Sequence, residues 1–340
     1  MVEVLICLVV SFFITYLTIP LILNLSKKYS ELLKEPNTIA SHKTAVATFG
    51  GVAIFFGVIF SFFLLLKVGD NEGLNWIIGS ICLIFFLGVV DDLIKLSPLM
   101  KFLGQLLAIL IIVYFNDLRI TSMQGIFGIY QLPYVISLLF TVLTMIVITN
   151  AYNLIDGIDS LATLIGLFIV AIFFIFFYFN DNINMMVLIS AIIGSLSAFL
   201  RYNWHPAKIF MGDSGSLLIG FLISIFAVKF IETTFNFGGF SIKTAPLSMA
   251  LLVIPLLDLL RVFIVRVYQK KSPFSGDRNH LHHLILDSGV NQTKTAIILL
   301  GFNVLVFSII LSINKFEINL VMFLLALLCL LFLFTLKKLK

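Results

Sequence analysis

Eleven apolar runs, each near the length of about 20 residues that a helix needs to cross a bilayer, divide this chain. They cover roughly residues 3–24, 46–66, 75–90, 102–116, 133–149, 161–179, 184–200, 214–231, 246–265, 295–313 and 318–336. Hydrocarbon offers no partner to a backbone N–H or C=O, so only helices and closed barrels satisfy themselves there. Long runs without polar–apolar alternation favour helices. Composition agrees, with 61% hydrophobic and 11% charged residues against about 25% charged in an ordinary soluble domain. The expected fold is an all-α polytopic membrane protein of about 11 transmembrane helices, residues 1–340 forming one integral-membrane domain. The first run has no basic residue ahead of it and no small-residue cleavage site, and is read as a retained helix. Cys7, Cys82 and Cys329 all lie inside runs without paired spacing, which gives neither a disulfide framework nor a zinc site.

Charge sets the expected orientation. Loops after odd-numbered runs, with the C-terminal tail, carry sixteen Lys and Arg; the other loops carry five. By the positive-inside rule the odd loops are cytoplasmic, the N-terminus is outside and the C-terminus is cytoplasmic. The same loops hold Asp91, Asp92, Asp156, Asp159 and Asp213 and every histidine, so the candidate site lies on the cytoplasmic face.

Taken singly, the loops leave alternatives open. The first mixes Lys43 and Thr48, which suit a phosphate, with the features of a solvated basic loop. Adjacent Asp91 and Asp92 at the end of an apolar run call for a cation, for Lys95 or Lys101, or for exposure. In "NAYNLIDGIDSLA", Asp156 and Asp159 share a face at i, i+3 if a helix starts there. One acid as N-cap is the plain reading, but capping does not call for a second acid or for Asn150 and Asn153 before them. Asp213, among Gly212, Ser214 and Gly215, suits either a cap or a ligand site at a helix start. The basic loop 266–294 carries Arg278 and the H-x-H-H of His280, His282 and His283, which suit part of a zinc site, an anion or, less well, bare lipid contact. Asp258 and Arg261, at i, i+3 within the ninth run, read as a structural pair.

Together, five acids beside lysines and histidines on one face suggest a Mg²⁺–phosphate site for phosphoryl transfer between a soluble and a lipid substrate. A cation transporter is the rival of another class; it would place its acids or broken helices near the midplane, often within internal repeats.

"VVDDLIKLSPLMKFLGQ", "NAYNLIDGIDSLA", "FMGDSGSLLIG" and "SPFSGDRNHLHHLI" together resemble the polyprenyl-phosphate N-acetylhexosamine-1-phosphate transferases, from about residue 34 to 285. The layout is similar to the branch that makes undecaprenyl-diphosphate-N-acetylglucosamine. The resemblance implies transfer of N-acetylglucosamine 1-phosphate from UDP-N-acetylglucosamine to undecaprenyl phosphate, with release of UMP, as a first membrane step of a cell-envelope glycan pathway. The related phospho-MurNAc-pentapeptide transferase, and members using another UDP-N-acetylhexosamine, are the near alternatives. By the same resemblance Asp91, Asp92, Asp156, Asp159 and Asp213 are the catalytic acids, with Asp91 as base and Asp213 and Asp92 at the metal. Lys43, Thr48, Lys101, Asn150, Asn153, Phe210, Arg278, His280, His282 and His283 are implied to bind substrate, Phe210 by stacking on uracil. The implied cofactor is Mg²⁺, with Mn²⁺ as a substitute. The implied partners are the UDP-sugar, the undecaprenyl lipid and a bacterial cytoplasmic membrane, with a homodimer left open and no nucleic acid.

Overall fold

The computed structural model describes residues 1–29, 33–34, 46–65, 73–233, 235–237, 240–270 and 279–338. Each of the eleven runs contains helix among these residues; there are thirteen α-helices, twelve of them in the runs and one, Leu281–Asp287, in the basic loop. They are α1 Val2–Lys28, α2 Gly50–Leu65, α3 Leu74–Ile94, α4 Pro98–Phe115, α5 Tyr134–Leu154, α6 Leu161–Phe179 and α7 Ile183–Asn203, then α8 Gly212–Glu232, α9 Thr244–Leu251, α10 Val253–Tyr268, α11 Leu281–Asp287, α12 Gln292–Ser312 and α13 Ile318–Lys338.

Nine of these helices are long and apolar enough to cross a membrane, and a tenth span follows if the bent pair α9 and α10 counts as one. This is a multi-pass membrane protein. The expectation of eleven regular spans is modified at two runs. α2 has 16 residues, about 24 Å at 1.5 Å per residue, short of a hydrocarbon core of about 30 Å. Its run starts as a strand instead: β2 Val46–Ala47 pairs antiparallel with β1 Leu33–Lys34. A second short antiparallel pair, β3 Phe235–Phe237 with β4 Phe240–Ile242, also lies between helices.

The ninth run bends by 72° between α9 and α10. Pro255 explains the break, because proline offers no N–H to the carbonyl four residues back and its ring crowds that carbonyl. The carbonyl in question is Leu251. Buried Asn303 of α12 donates to it at 3.0 Å and to Ala250 O at 3.3 Å. An irregular backbone at membrane depth is tolerated when protein supplies the missing partner.

α8 is the central helix, buried along almost all of its length from Ser214 to Phe230 and packed against α2, α3, α5, α6 and α9. α1 packs on α2 and α7 at one side, while α12 and α13 close the other against α9. The ends of the bundle differ. At one, Thr121 Oγ1 donates to Glu232 at 2.6 Å and the Phe127 N–H to Asn319 at 2.8 Å. At the opposite end the acids and histidines gather.

α3 crosses α8 at Gly88, where a Cβ would fall 2.5 Å from Ser214 Cα and 2.6 Å from Asp213 O. Small residues allow such approach between membrane helices. Gly88→Leu is therefore expected to cost about 1–3 kcal/mol of stability, read as a lowered thermal midpoint in detergent, or to prevent folding. Gly79→Leu, on the same helix with nothing within 4 Å, should melt like the parent; equal melting of all three would contradict this packing.

Candidate active site

The site forms where α3 ends and α4, α6 and α8 begin. Asp91 and Asp92 occupy the last turn of α3. The Asp91 Oδ1 accepts the Leu96 N–H at 2.7 Å, and Lys95 takes a positive φ of 50° to turn the chain back. Ser97 then caps α4, accepting from the Met100 N–H at 3.3 Å, with Pro98 at the first helical position. That short reversal puts Lys101 beside both acid motifs. Its Nζ lies 2.8 Å from Asp91 Oδ2 and 2.5 Å from Asp213 Oδ1. Asn153, at the end of α5, donates to the same Asp213 Oδ1 at 2.7 Å and to Ser216 Oγ at 2.7 Å.

Asp213 is not the cap of its own helix. Asp92 is: its two carboxylate oxygens accept the N–H groups of Asp213 at 2.8 Å and Ser214 at 2.9 Å. A helix start exposes unpaired amides and a partial positive charge, and a carboxylate from another helix meets both needs. Gly212 makes room, with φ of 72° and a Cβ position 2.4 Å from Thr48 O and 2.7 Å from Asp92 Oδ2. Thr48 is thereby placed at the site through its carbonyl. Phe210 flanks it in extended chain, its N–H donating to Ala47 O at 2.7 Å and its carbonyl accepting from Gly50 at 3.0 Å.

The other residues singled out from sequence divide. Asn150 is spent on an amide pair, donating to Gln105 Oε1 at 2.7 Å and accepting from Gln105 Nε2 at 3.3 Å. Gln105 had no place in the sequence reading, although it lies four residues after Lys101 on the same face of α4. Asp156 and Asp159 do not share a helix face, because α6 starts at Leu161 and both lie in the turn before it. Asp156 is half-buried there. Asp159 is buried, 2.7 Å from His205 Nδ1 and accepting the Ala207 N–H at 3.0 Å.

The three H-x-H-H rings form one buried group, with centroids 5.5 Å apart from His280 to His282 and 4.4 Å from His282 to His283. His282 lies against Gly157, where a Cβ would stand 2.3 Å from its Nε2. The histidine motif and the Asp156–Asp159 turn are thus in contact. Asp258 and Arg261 bind this segment, Asp258 through His280 and Leu281, and Arg261 through the Asn279 carbonyl. The i, i+3 spacing had suggested pairing with each other. Lys43 and Arg278 lie outside the described residues.

The donor set bears on a metal. No group of three or more His, Cys, Asp or Glu able to hold an ion exists among the described residues. The described residues alone therefore build neither an all-protein cage nor a zinc site. Asp92 is committed to two amides. The Asp213 contacts among the described residues, to Lys101 and Asn153, are on Oδ1, and its side chain is 34% exposed. A carboxylate donor with the Lys101 ammonium beside it fits Mg²⁺, which takes one or two carboxylates and completes its shell with substrate phosphate and water.

Asp92→Ala is expected to lose about 1–3 kcal/mol of stability even in EDTA, because two helix-start amides lose their acceptor. Thermal melts of purified protein measure this; an unchanged midpoint in EDTA would mean that Asp92 serves a metal and not the helix.

The glycosyl transferase family 4 model matches residues 74–231, which include both acid pairs and Asp213. The chain is 32% identical over 96% of its length to the undecaprenyl-phosphate alpha-N-acetylglucosaminyl 1-phosphate transferase of Thermotoga maritima, covering 94% of that protein. It is 30% identical over 88% of its length to the probable undecaprenyl-phosphate N-acetylglucosaminyl 1-phosphate transferase of Bacillus subtilis, covering 84% of it. The corresponding Escherichia coli K12 enzyme is 26% identical over 79% of the chain and 72% of its own length. With four motifs meeting at one end of a helical bundle and likeness along nearly the whole chain, the protein belongs to glycosyl transferase family 4, among the polyprenyl-phosphate N-acetylhexosamine-1-phosphate transferases.

Proposed function

We propose that this protein transfers N-acetylglucosamine 1-phosphate from UDP-N-acetylglucosamine to undecaprenyl phosphate. An oxygen of the lipid phosphate bonds to the β-phosphorus of the nucleotide sugar. The bond from that phosphorus to the bridging oxygen breaks, UMP leaves with the electron pair, and undecaprenyl-diphosphate-N-acetylglucosamine remains. The observation that carries this reading is the Lys101 ammonium held between Asp91 and Asp213 at the start of α8.

Phosphoryl transfer asks mainly for positioning and for charge stabilisation on the phosphate oxygens. Lys101 supplies positive potential where a diphosphate would lie, beside the start of α8 that Asp92 caps. Asp91, ion-paired to Lys101, is assigned the proton of the lipid phosphate. Asn153 and Lys101 fix the Asp213 carboxylate through Oδ1. The histidine group, resting on the Asp156–Asp159 turn, is assigned the sugar diphosphate, and Phe210 the uracil. Mg²⁺ or Mn²⁺, when bound at Asp213, supplies further charge neutralisation. The excess of Lys and Arg in the odd loops supports placing this end in the cytoplasm, with the N-terminus outside, in a bacterial inner membrane.

The test is UMP release by purified protein in detergent, given undecaprenyl phosphate and one UDP-sugar, with Mg²⁺ or EDTA. The expected outcome is lipid- and metal-dependent release with UDP-N-acetylglucosamine, reduced by about 10²–10³-fold in Asp213→Asn, the scale on which one electrostatic contact counts. Release with UDP-MurNAc-pentapeptide alone would assign the chain to that relative's reaction, and no release with any sugar would overturn the transferase reading.

A further inference from the structure

Asp258 stands apart from the acids already assigned. It lies in α10, is buried, and has no part in the Lys101 centre. Yet both of its oxygens are used on one short segment. Oδ2 is 2.7 Å from His280 Nδ1, and Oδ1 accepts the Leu281 N–H at 2.6 Å. α11 has no side-chain cap of its own, so the first amide of that helix is satisfied from α10. Arg261, three residues on, donates to the carbonyl of Asn279, immediately before His280.

From His280 the contacts run onward to the turn beside the reaction centre. Its ring is stacked on His282 with planes 11° apart. His282 occupies the space that a Cβ on Gly157 would need, between Asp156 and Asp159. A histidine Nδ1 facing a carboxylate carries the proton, which leaves Nε2 as the working atom of the ring. We infer that Asp258 is a positioning residue for the transfer reaction: it holds the His280 ring with its proton on Nδ1 and fixes the start of α11, and so sets the histidine group against the Asp156–Asp159 turn. The inference rests on the transferase reading given above.

A mainly structural Asp258 and a positioning Asp258 differ in how its loss combines with loss of His280. Asn at this position keeps the shape and can accept the Leu281 N–H, but its amide would donate to Nδ1 and drive the ring proton to Nε2, the wrong tautomer. The experiment measures kcat/KM for UMP release and thermal midpoints in the wild type, Asp258→Asn, His280→Ala and the double variant. Asp258→Asn is expected to fall by about 10²-fold, the order of loss when a reacting group is misplaced by about 1 Å, with its midpoint little changed. Added to His280→Ala it should cost nothing further, since residues acting through one another are not additive.

Losses that multiply, or an Asp258→Asn enzyme within about twofold of wild type, would overturn the inference. Should Asp258→Asn fail to fold, imidazole ¹⁵N spectra of the wild type decide, because a His280 ring without a proton on Nδ1 overturns it as well. Absence of UMP release by the wild type removes the parent reading, whereas an active wild type with multiplying losses removes this inference alone.

Discussion

The first amides of α8 need acceptors, and because the helix is buried from Ser214 onward its neighbours supply them. Asp92, from α3, meets that need with both carboxylate oxygens. The arrangement then generates its own requirement. Asp91 precedes Asp92, Asp213 sits on the helix being capped, and three carboxylates near one another are unstable without cations. Lys101 answers part of that demand by bridging Asp91 and Asp213. Asp213 is the carboxylate to which the proposed metal is assigned. A structural problem of membrane folding, the satisfaction of a buried helix start, thus yields the polar centre on which the proposed chemistry depends.

Two other polar links extend this centre across the bundle. Gln105 and Asn150 tie α4 to α5 one turn inward from Lys101 and Asn153. Asp258 and the histidines tie α10 and α11 to the turn before α6. The break at Leu251 and Pro255, made tolerable by Asn303, separates α10 from the course of α9. The opposite end has its own polar contacts, among them the Thr121–Glu232 and Phe127–Asn319 links, which tie the segment between α4 and α5 to the end of α8 and the start of α13.

The helices were legible in the sequence because backbone satisfaction in hydrocarbon depends mostly on local composition. The exceptions depended on distant residues. Ala47 is extended because it bridges Ile209, far along the chain, and the effect of Pro255 rests on Asn303 in another helix. The same division runs through the site. Asp91, Asp92, Asp156 and Asp213 were visible because uncompensated acids at the ends of apolar runs are costly. Their pairings were not. Helical spacing suggested that Asp258 faces Arg261 and that Asp156 and Asp159 share a face. In the structure Asp258 reaches His280, and the positive φ of Ser160, 61°, ends a turn in which i, i+3 has no helical meaning. Gly157 stands between the two acids in sequence, and the reason for it is the His282 ring, supplied more than a hundred positions later.

The most direct test of the central claim, that the start of α8 with Lys101 and Asp213 receives the sugar diphosphate, is a crystal structure with UDP-N-acetylglucosamine and Mn²⁺. The anomalous signal of the manganese locates the ion independently of the surrounding density. That signal is expected at Asp213, shared with the diphosphate, with Lys101 and Asn153 alongside and the histidine group on the sugar side. Nucleotide and metal bound away from Asp213, or a nucleotide held with the Asp91–Lys101–Asp213 cluster unengaged, would contradict it.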